Sequence, residues 1–316
     1  MTEPQVQQKK RIGDVTFVFL IIIGLIVTGV VLYFAMTWIF QVPLMGDSVA
    51  VVYAQGVMIT GDIPSGFGYA TSEDITRSIR EAADDTSVKA IVIRVNSPGG
   101  SPAAAQEIAN EVRKAKASKP VVVSMGDMAA SGGYYMSAPA NRIVANPDTY
   151  TGSIGVIWVF TNKSGSYEKE GIDFYVAKTG RFKDMGGAWR GLSDQEKQYA
   201  DQVVAEVYER FVAEVAEGRN MSVSRVKDIA DGRIYTGSKA KELGLVDDLG
   251  NLEEAIKIAA ELGGIDGKPN VKYINKPSWS SLLFGTGSEQ SFLRYMEDSP
   301  YGRLVAIADM GQMSVQ

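Results

Sequence analysis

The chain contains no histidine and no cysteine. Without histidine there is no Ser-His-Asp or Cys-His catalysis and no imidazole-ligated metal. Without cysteine there is no thiol nucleophile, disulfide, iron–sulfur cluster or thiolate zinc site. A hydrolase built from this sequence must take its general base from Lys, Asp, Glu, Tyr or a terminal amine. No G-x-x-x-x-G-K-[ST] occurs, so nucleotide hydrolysis has no support. Internal repeats and low-complexity tracts are also absent. Acidic residues (37) outnumber basic ones (32), for a net charge of −5, which argues against nucleic acid as a partner. Hydrophobic residues at 45% and charged residues at 22% are ordinary globular composition.

One long hydrophobic run is present. Residues 15–40, VTFVFLIIIGLIVTGVVLYFAMTWIF, carry no formal charge. A bilayer core needs ~20 apolar residues, so this run is expected to form a single transmembrane helix. Tyr33 and Trp38 lie towards its C-terminal end, where aromatic rings favour the membrane–water boundary. Lys9, Lys10 and Arg11 precede it, and no Lys or Arg follows until Arg77. The positive-inside rule then keeps residues 1–14 as a cytoplasmic tail and places the rest outside the cell membrane. A cleaved secretory signal would have a shorter apolar stretch, ~7–15 residues, and a small-x-small site after it. An outside location would permit disulfides, and this domain does without them.

After the anchor, short β-branched runs alternate with helical patterns. Strands are expected at 49–52 (VAVV), 90–95 (AIVIRV), 121–124, 142–145, 154–160 and 172–177. The run at 90–95 is nearly continuous in apolar residues, as in a strand buried on both faces. Thr71 with Asp74, and Ser193 with Glu196, fit capping boxes. The second box opens a long helix to about Gly218, with Val203, Val204, Val207, Tyr208, Phe211, Val212 and Val215 on one face. Further helices are expected at about 103–116, 223–230, 238–243 and 252–262. This alternation predicts an α/β fold with crossover helices on a mostly parallel sheet. The domain is expected to run over 41–268. Residues 269–316 form a tail whose Trp279, Leu282, Leu283, Phe284, Phe292 and Tyr295 argue against full solvation.

Two glycine-rich turns follow predicted strands, where open α/β sheets bind ligands. In Asn96-Ser97-Pro98-Gly99-Gly100 the glycines permit positive φ and close backbone approach, so that their N–H groups can hold an oxyanion. A turn that uses glycine only for geometry explains the same residues. In the second turn, Gly126 to Gly133, Ser131 has Ala129, Ala130, Gly132 and Gly133 as small neighbours. This resembles a nucleophile elbow, with the Gly132 N–H as an oxyanion donor. Ser131 as an ordinary helix N-cap is the alternative.

With histidine absent, lysine leads the candidates for the base, since Ser-Lys pairs are a known variant of the triad. Such a lysine must be neutral. At an unshifted pKa of ~10.4, about one in a few thousand is neutral at pH 7. A shift of ~3 units costs about 4 kcal/mol, which burial without a neighbouring carboxylate supplies. Lys183, in Thr179-Gly180-Arg181-Phe182-Lys183-Asp184-Met185-Gly186-Gly187, and Lys178 both fit. Either is equally a solvated loop cation. Asp184 would point away from Lys183 if this piece is extended.

Taken together, the segments VNSPGG at 95–100, SMGDMAASGGYYMSAPANRIVANPDTYTGSIGV at 124–156, KTGRFKD at 178–184 and GRIYTGSKAKELGLVDDLG at 232–250 resemble the signal peptide peptidase A family. That family comprises Ser-Lys membrane serine peptidases of bacteria and archaea, and the resemblance is to its short single-domain form. The four blocks occur in the family's order, and the likeness covers roughly residues 48–265. It implies a Clp protease/crotonase-like fold. It also implies Ser131 as nucleophile, Lys183 rather than Lys178 as general base, and Ser153 as the residue that orients the lysine. Gly100 and Gly132 would form the oxyanion hole. No cofactor or metal is implied. The implied partners are peptide substrates, remnant signal peptides among them, the membrane, and further copies of the chain in a ring, an octamer by family likeness. A crotonase-like acyl-thioester enzyme would use the same fold and glycines, and a non-enzymatic scaffold would tolerate loss of Ser131 or Lys183.

Overall fold

The computed structural model describes residues 9–41, 46–61 and 68–276. The chain divides into two units after Gly46. The first contains α1 (Lys9–Gln41), a helix that covers the uncharged run at 15–40. Within it, side chains are described at residue 17 and residues 19–34, and the large apolar ones are exposed. Among the described residues no helix is long and apolar enough to cross a membrane.

The second unit holds the remaining elements. In chain order its first half is β1 (Ser48–Gln55), β2 (Val57–Ile59), β3 (Tyr69–Thr71), α2 (Ser72–Asp84), β4 (Val88–Ser97), α3 (Pro102–Lys116), β5 (Val121–Ala130) and α4 (Gly132–Ser137). There follow β6 (Arg142–Ala145), β7 (Tyr150–Gly152), α5 (Ser164–Lys169), α6 (Asp194–Gly218), α7 (Val223–Lys227) and β8 (Ile234–Thr236). The order closes with α8 (Gly237–Leu243), β9 (Asp248–Leu249), α9 (Leu252–Leu262) and β10 (Asn270–Ile274). The main sheet runs β10-β1-β4-β5-β6-β9, with β7 paired to the far end of β5 and β8 to β7. Every pairing is parallel except β7–β8. The expected mixed α/β architecture, with a mainly parallel sheet and crossover helices, is therefore present.

Strand alternation sorts the core into two layers. Ala50, Val52, Ile91, Ile93, Val95, Val121, Val123 and Met125 face one side, against Ile75 and Ile79 of α2 and Ile108 and Val112 of α3. Val49, Val51, Ala90, Val92, Val122 and Val144 face the other, against Ala255, Ala259 and Ala260 of α9. This two-sided burial is why 90–95 reads as a near-continuous apolar run. The Ser193 capping box closes in both directions, and α6 starts where that box predicts. Only the C-terminal part of its apolar face, Phe211, Val212 and Val215, is fully buried. Thr71 is the N-cap of α2 without a side-chain cap bond, so the first capping box is not formed.

Three expectations change. Residues 154–160 and 172–177 form no strand. After Ser153, whose N–H donates to the Arg233 carbonyl, the chain leaves the sheet, and both ladders of β7 end at Gly152. Residues 155–192 become an excursion with Ile157, Trp158, Val159, Ile172, Phe174 and Val176 exposed, and Tyr175 at 95% exposure. The domain boundary expected at Lys268 also moves, since β10 adds a strand beyond it, in parallel register with β1 from Ser48↔Asn270 to Val52↔Ile274. β10 is short and only partly buried, and its partner lies more than two hundred positions away in the chain. The six apolar tail residues from Trp279 to Tyr295 lie outside the described residues.

Lys272 fastens β10 by donating to Asp85 Oδ2 (2.6 Å) and Ser87 Oγ (2.7 Å). The Lys272 hydrogen bond, with those from Ser87, holds the Asp85 carboxyl down at about 2. An unfolded Asp titrates near ~3.9, so this stabilisation is complete above ~4 and disappears as pH falls towards 2. Hydrogen exchange should therefore show residues 270–274 loosening before β4 over that pH range. In Lys272→Met the two strands should differ equally at all pH values in it.

Candidate active site

The site forms where β4 and β5 end side by side. Ser97 of β4 pairs with Ala129 of β5, and Ala130 pairs with Gly152 of β7. Thr149 and Thr151 strengthen the second junction by donating to the carbonyls of Gly126 (2.6 Å) and Ala129 (2.7 Å). Ser131 stands between β5 and α4 with φ 51° and ψ −118°, a conformation costly for a residue with a Cβ. Two backbone bonds hold it there. Its N–H donates to the Gly152 carbonyl (2.9 Å), and its carbonyl accepts from the Tyr135 N–H (2.8 Å). This is a strand–turn–helix elbow with the hydroxyl at its tip. Ser131 does not act as a side-chain N-cap for α4. Behind it, fully buried Tyr134 anchors α4 by donating to the Leu245 carbonyl (2.8 Å), and burial pushes its phenol well above the usual tyrosine value.

The 97–100 turn packs directly against this elbow. A Cβ on Gly99, whose φ is 101°, would lie 2.7 Å from the Gly132 nitrogen and 2.9 Å from the Ser131 Cβ. Only glycine permits that approach. On its outer side the turn is bridged to β2: the Met58 N–H donates to Gly99 O (2.7 Å), and the Ser101 N–H donates to Met58 O (2.8 Å). In such a bridge the Gly100 N–H and carbonyl point away from Met58. The N–H of Gly132, at the first position of α4, has no intrahelical acceptor. The Gly132 amide follows Ser131 directly in the chain, and the Gly100 amide takes no part in the bridge to β2.

Ser153 follows Gly152 on the neighbouring strand, which brings it alongside Ser131. It too has positive φ (48°), and its N–H donates to the Arg233 carbonyl (2.9 Å). Ser131, Gly132, Gly99, Gly100 and Ser153 are therefore one cluster, and Ser131 and Ser153 are each half-buried.

Lys183 is not hydrogen-bonded into this cluster. It lies in the 155–192 excursion, is exposed, and its ammonium makes no hydrogen bond or ion pair among the described residues. Lys178 is engaged by Asp184, with a further bond to Arg181 O (3.3 Å). Asp184 is turned to Lys178 and Arg190; residues 181–186 form turns rather than the extended piece on which its expected direction rested. Sequence reasoning missed Met58, Thr149, Thr151 and Arg190, because each acts through a partner distant in sequence or set in an irregular loop. Among the described residues no group of three or more Asp or Glu side chains forms a metal site.

Fold and site define an α/β protein that presents a serine on a strained strand-to-helix turn packed against a glycine-rich turn. Residues 113–266 match peptidase family S49. The chain is 39% identical over 252 residues to Protease 4 of Salmonella typhi, covering 78% of this chain and 40% of that protein. It is 39% identical over 210 residues to a putative protease of Synechocystis sp., covering 66% of this chain and 74% of that protein. It is 42% identical over 185 residues to a putative signal peptide peptidase SppA of Enterococcus faecium, covering 58% and 54% respectively. The chain belongs to peptidase family S49, and it spans less than half the length of the Salmonella protein.

The contact between the two turns makes a prediction about stability. Gly99→Ala should cost about 2 kcal/mol or more in urea unfolding, from its Cβ clash added to positive-φ strain. Gly264→Ala, at φ 68° with nothing within 4 Å of a Cβ, should cost only about 1 kcal/mol.

Proposed function

We propose that this protein is a serine endopeptidase that uses a Ser131–Lys183 dyad to degrade remnant signal peptides and other unstructured apolar peptides. The observation that carries the reading is the Ser131 elbow packed on the Gly99–Gly100 turn, which supports an oxyanion hole made of the Gly100 and Gly132 amides. A peptide carbonyl placed there meets a nucleophile and two donors together. Neutral Lys183 takes the Ser131 proton as Oγ bonds to the carbonyl carbon, and the amides stabilise the oxyanion. Protonated Lys183 then gives its proton to the leaving amine as the C–N bond breaks. Water, losing its proton to Lys183, attacks the acyl-serine, and Lys183 returns that proton to Ser131 Oγ as the C–O bond breaks and the second product leaves. Ser153, beside Ser131, orients the lysine.

A lysine exposed as Lys183 is in one protomer must be buried before it is neutral at pH 7. The exposed apolar side chains of the 155–192 excursion are the surface that a second copy would cover, which supports a homo-oligomer. A closed ring, an octamer by family likeness, buries such a surface on every copy. The uncharged helical run at 15–40, with Lys9, Lys10 and Arg11 before it, supports a single-pass membrane anchor. The catalytic domain then faces outward from the cytoplasmic membrane.

Ser131→Ala and Lys183→Ala should each reduce hydrolysis of an apolar peptide at least 10³-fold with the oligomer intact. A serine-directed probe should label Ser131 in the wild type. Wild-type hydrolysis by either variant would refute the dyad. An unlabelled Ser131 with turnover of acyl thioesters would favour the crotonase-like reading instead. Mixing the two inactive variants and reassembling them tests whether one copy's lysine serves another's serine, since activity then returns.

A further inference from the structure

Seven positions after Lys183, Arg190 joins two carboxylates that are twelve residues apart in the chain. Its Nε and Nη2 donate to Asp184 Oδ2 (3.0 Å) and Oδ1 (2.8 Å). Its Nη1 and Nη2 donate to Glu196 Oε2 (2.8 Å) and Oε1 (2.5 Å). Both pairings are bidentate, a geometry the planar guanidinium provides and an ammonium does not. Glu196 is the third residue of α6 and accepts from the Ser193 N–H (2.8 Å) and Oγ (3.0 Å), so Arg190 ties the loop to a fixed helix start. Lys178 takes a second hold on Asp184. The carboxylate side chains are only 9% and 4% exposed, against 30% for Arg190.

We propose that Arg190 is a positioning residue for the general base: it holds and neutralises the Asp184 carboxylate, so that Lys183, the next residue in the chain, is not captured in an ion pair. The proposal rests on the reading of Lys183 as the base. A free carboxylate beside a lysine favours the charged form, which cannot accept the serine proton. Arg190 also keeps both acids ionised. Its hydrogen bonds hold the Asp184 carboxyl far below the usual carboxylate range and the Glu196 carboxyl at about 2. The other charged or titratable groups around the segment are Lys178 and Arg181 on it, Asp173 on the strip that stacks Phe174 on Trp189, and Asp194, Lys197 and Tyr199 on α6. Of these, Lys197 pairs with Asp194 (3.1 Å), and only Lys178 shares Asp184 with Arg190.

The test is the pH dependence of kcat/KM for an apolar peptide with the full chain. Wild-type activity should rise with pH on an acid limb set by Lys183. In Arg190→Gln the limb should move up by about one pH unit, a roughly tenfold loss below it, with the oligomer retained. Adding Asp184→Asn should return the limb to its wild-type position. A limb unmoved in Arg190→Gln, or moved but not restored by Asp184→Asn, overturns the proposal. Should Arg190→Gln not fold, Asp184→Asn alone decides. It removes the negative charge and leaves Arg190 and Lys178 in place, so the limb should move to lower pH; an unmoved or raised limb overturns the proposal. Wild-type activity in Lys183→Ala, or a wild type without an acid limb, refutes the base assignment and the proposal with it. That result is distinct from an unmoved limb in an enzyme that has one.

Discussion

The site depends on two backbone turns lying closer together than any side chain allows. Gly99 meets the Ser131 Cβ and the Gly132 nitrogen at distances that leave no room for a methyl group. Three parallel strands enforce this. β4 delivers Ser97 beside Ala129, β5 delivers Ala130 beside Gly152, and the Gly152 carbonyl takes the Ser131 amide. A register slip of one residue in either pair would turn the serine to the other face of the sheet. The two-sided apolar core of β1, β4 and β5 resists that slip, so stability and chemistry share one constraint. The strain of positive φ at Ser131 and Ser153 is held by the bonds that define the register.

Lys183 is held differently from Ser131. Ser131 is set by sheet register, whereas Lys183 sits on an excursion without a ladder of its own. What orders that excursion near the lysine is charge: Asp184 to Arg190 to Glu196, ending in the capping box of α6. Elsewhere along it the order comes from aromatic contacts, Trp158 on Phe160, and Tyr167 and Trp189 on Phe174. An arm built this way leaves apolar side chains exposed.

Much of this was legible in the chain. The strands at 90–95 and 121–124 announce themselves because both faces are buried, and the long helix begins where Ser193 and Glu196 predict it. The glycines at 99, 100, 132 and 133 marked both turns before their contact was visible. The misreadings share a cause. Residues 154–160 and 172–177 are apolar and β-branched but have no strand edge to join, and propensity does not create a partner. β10 failed in the opposite sense: its residues signal little, and pairing with β1 makes it a strand.

By itself the sequence determined that no imidazole or thiol chemistry operates here, that the fold alternates strands and helices, and that a serine among small residues follows a strand. Those properties are local, written in residue types and periods. It left Lys178 and Lys183 equivalent until the family likeness separated them. Tertiary structure decided that Asp184 occupies Lys178, that Gly100 turns its amide away from β2, and that Ser153 stands beside Ser131. Each is a relation between segments distant in the chain or folded back in an irregular loop, set by register and ion pairing rather than by any residue's own preference.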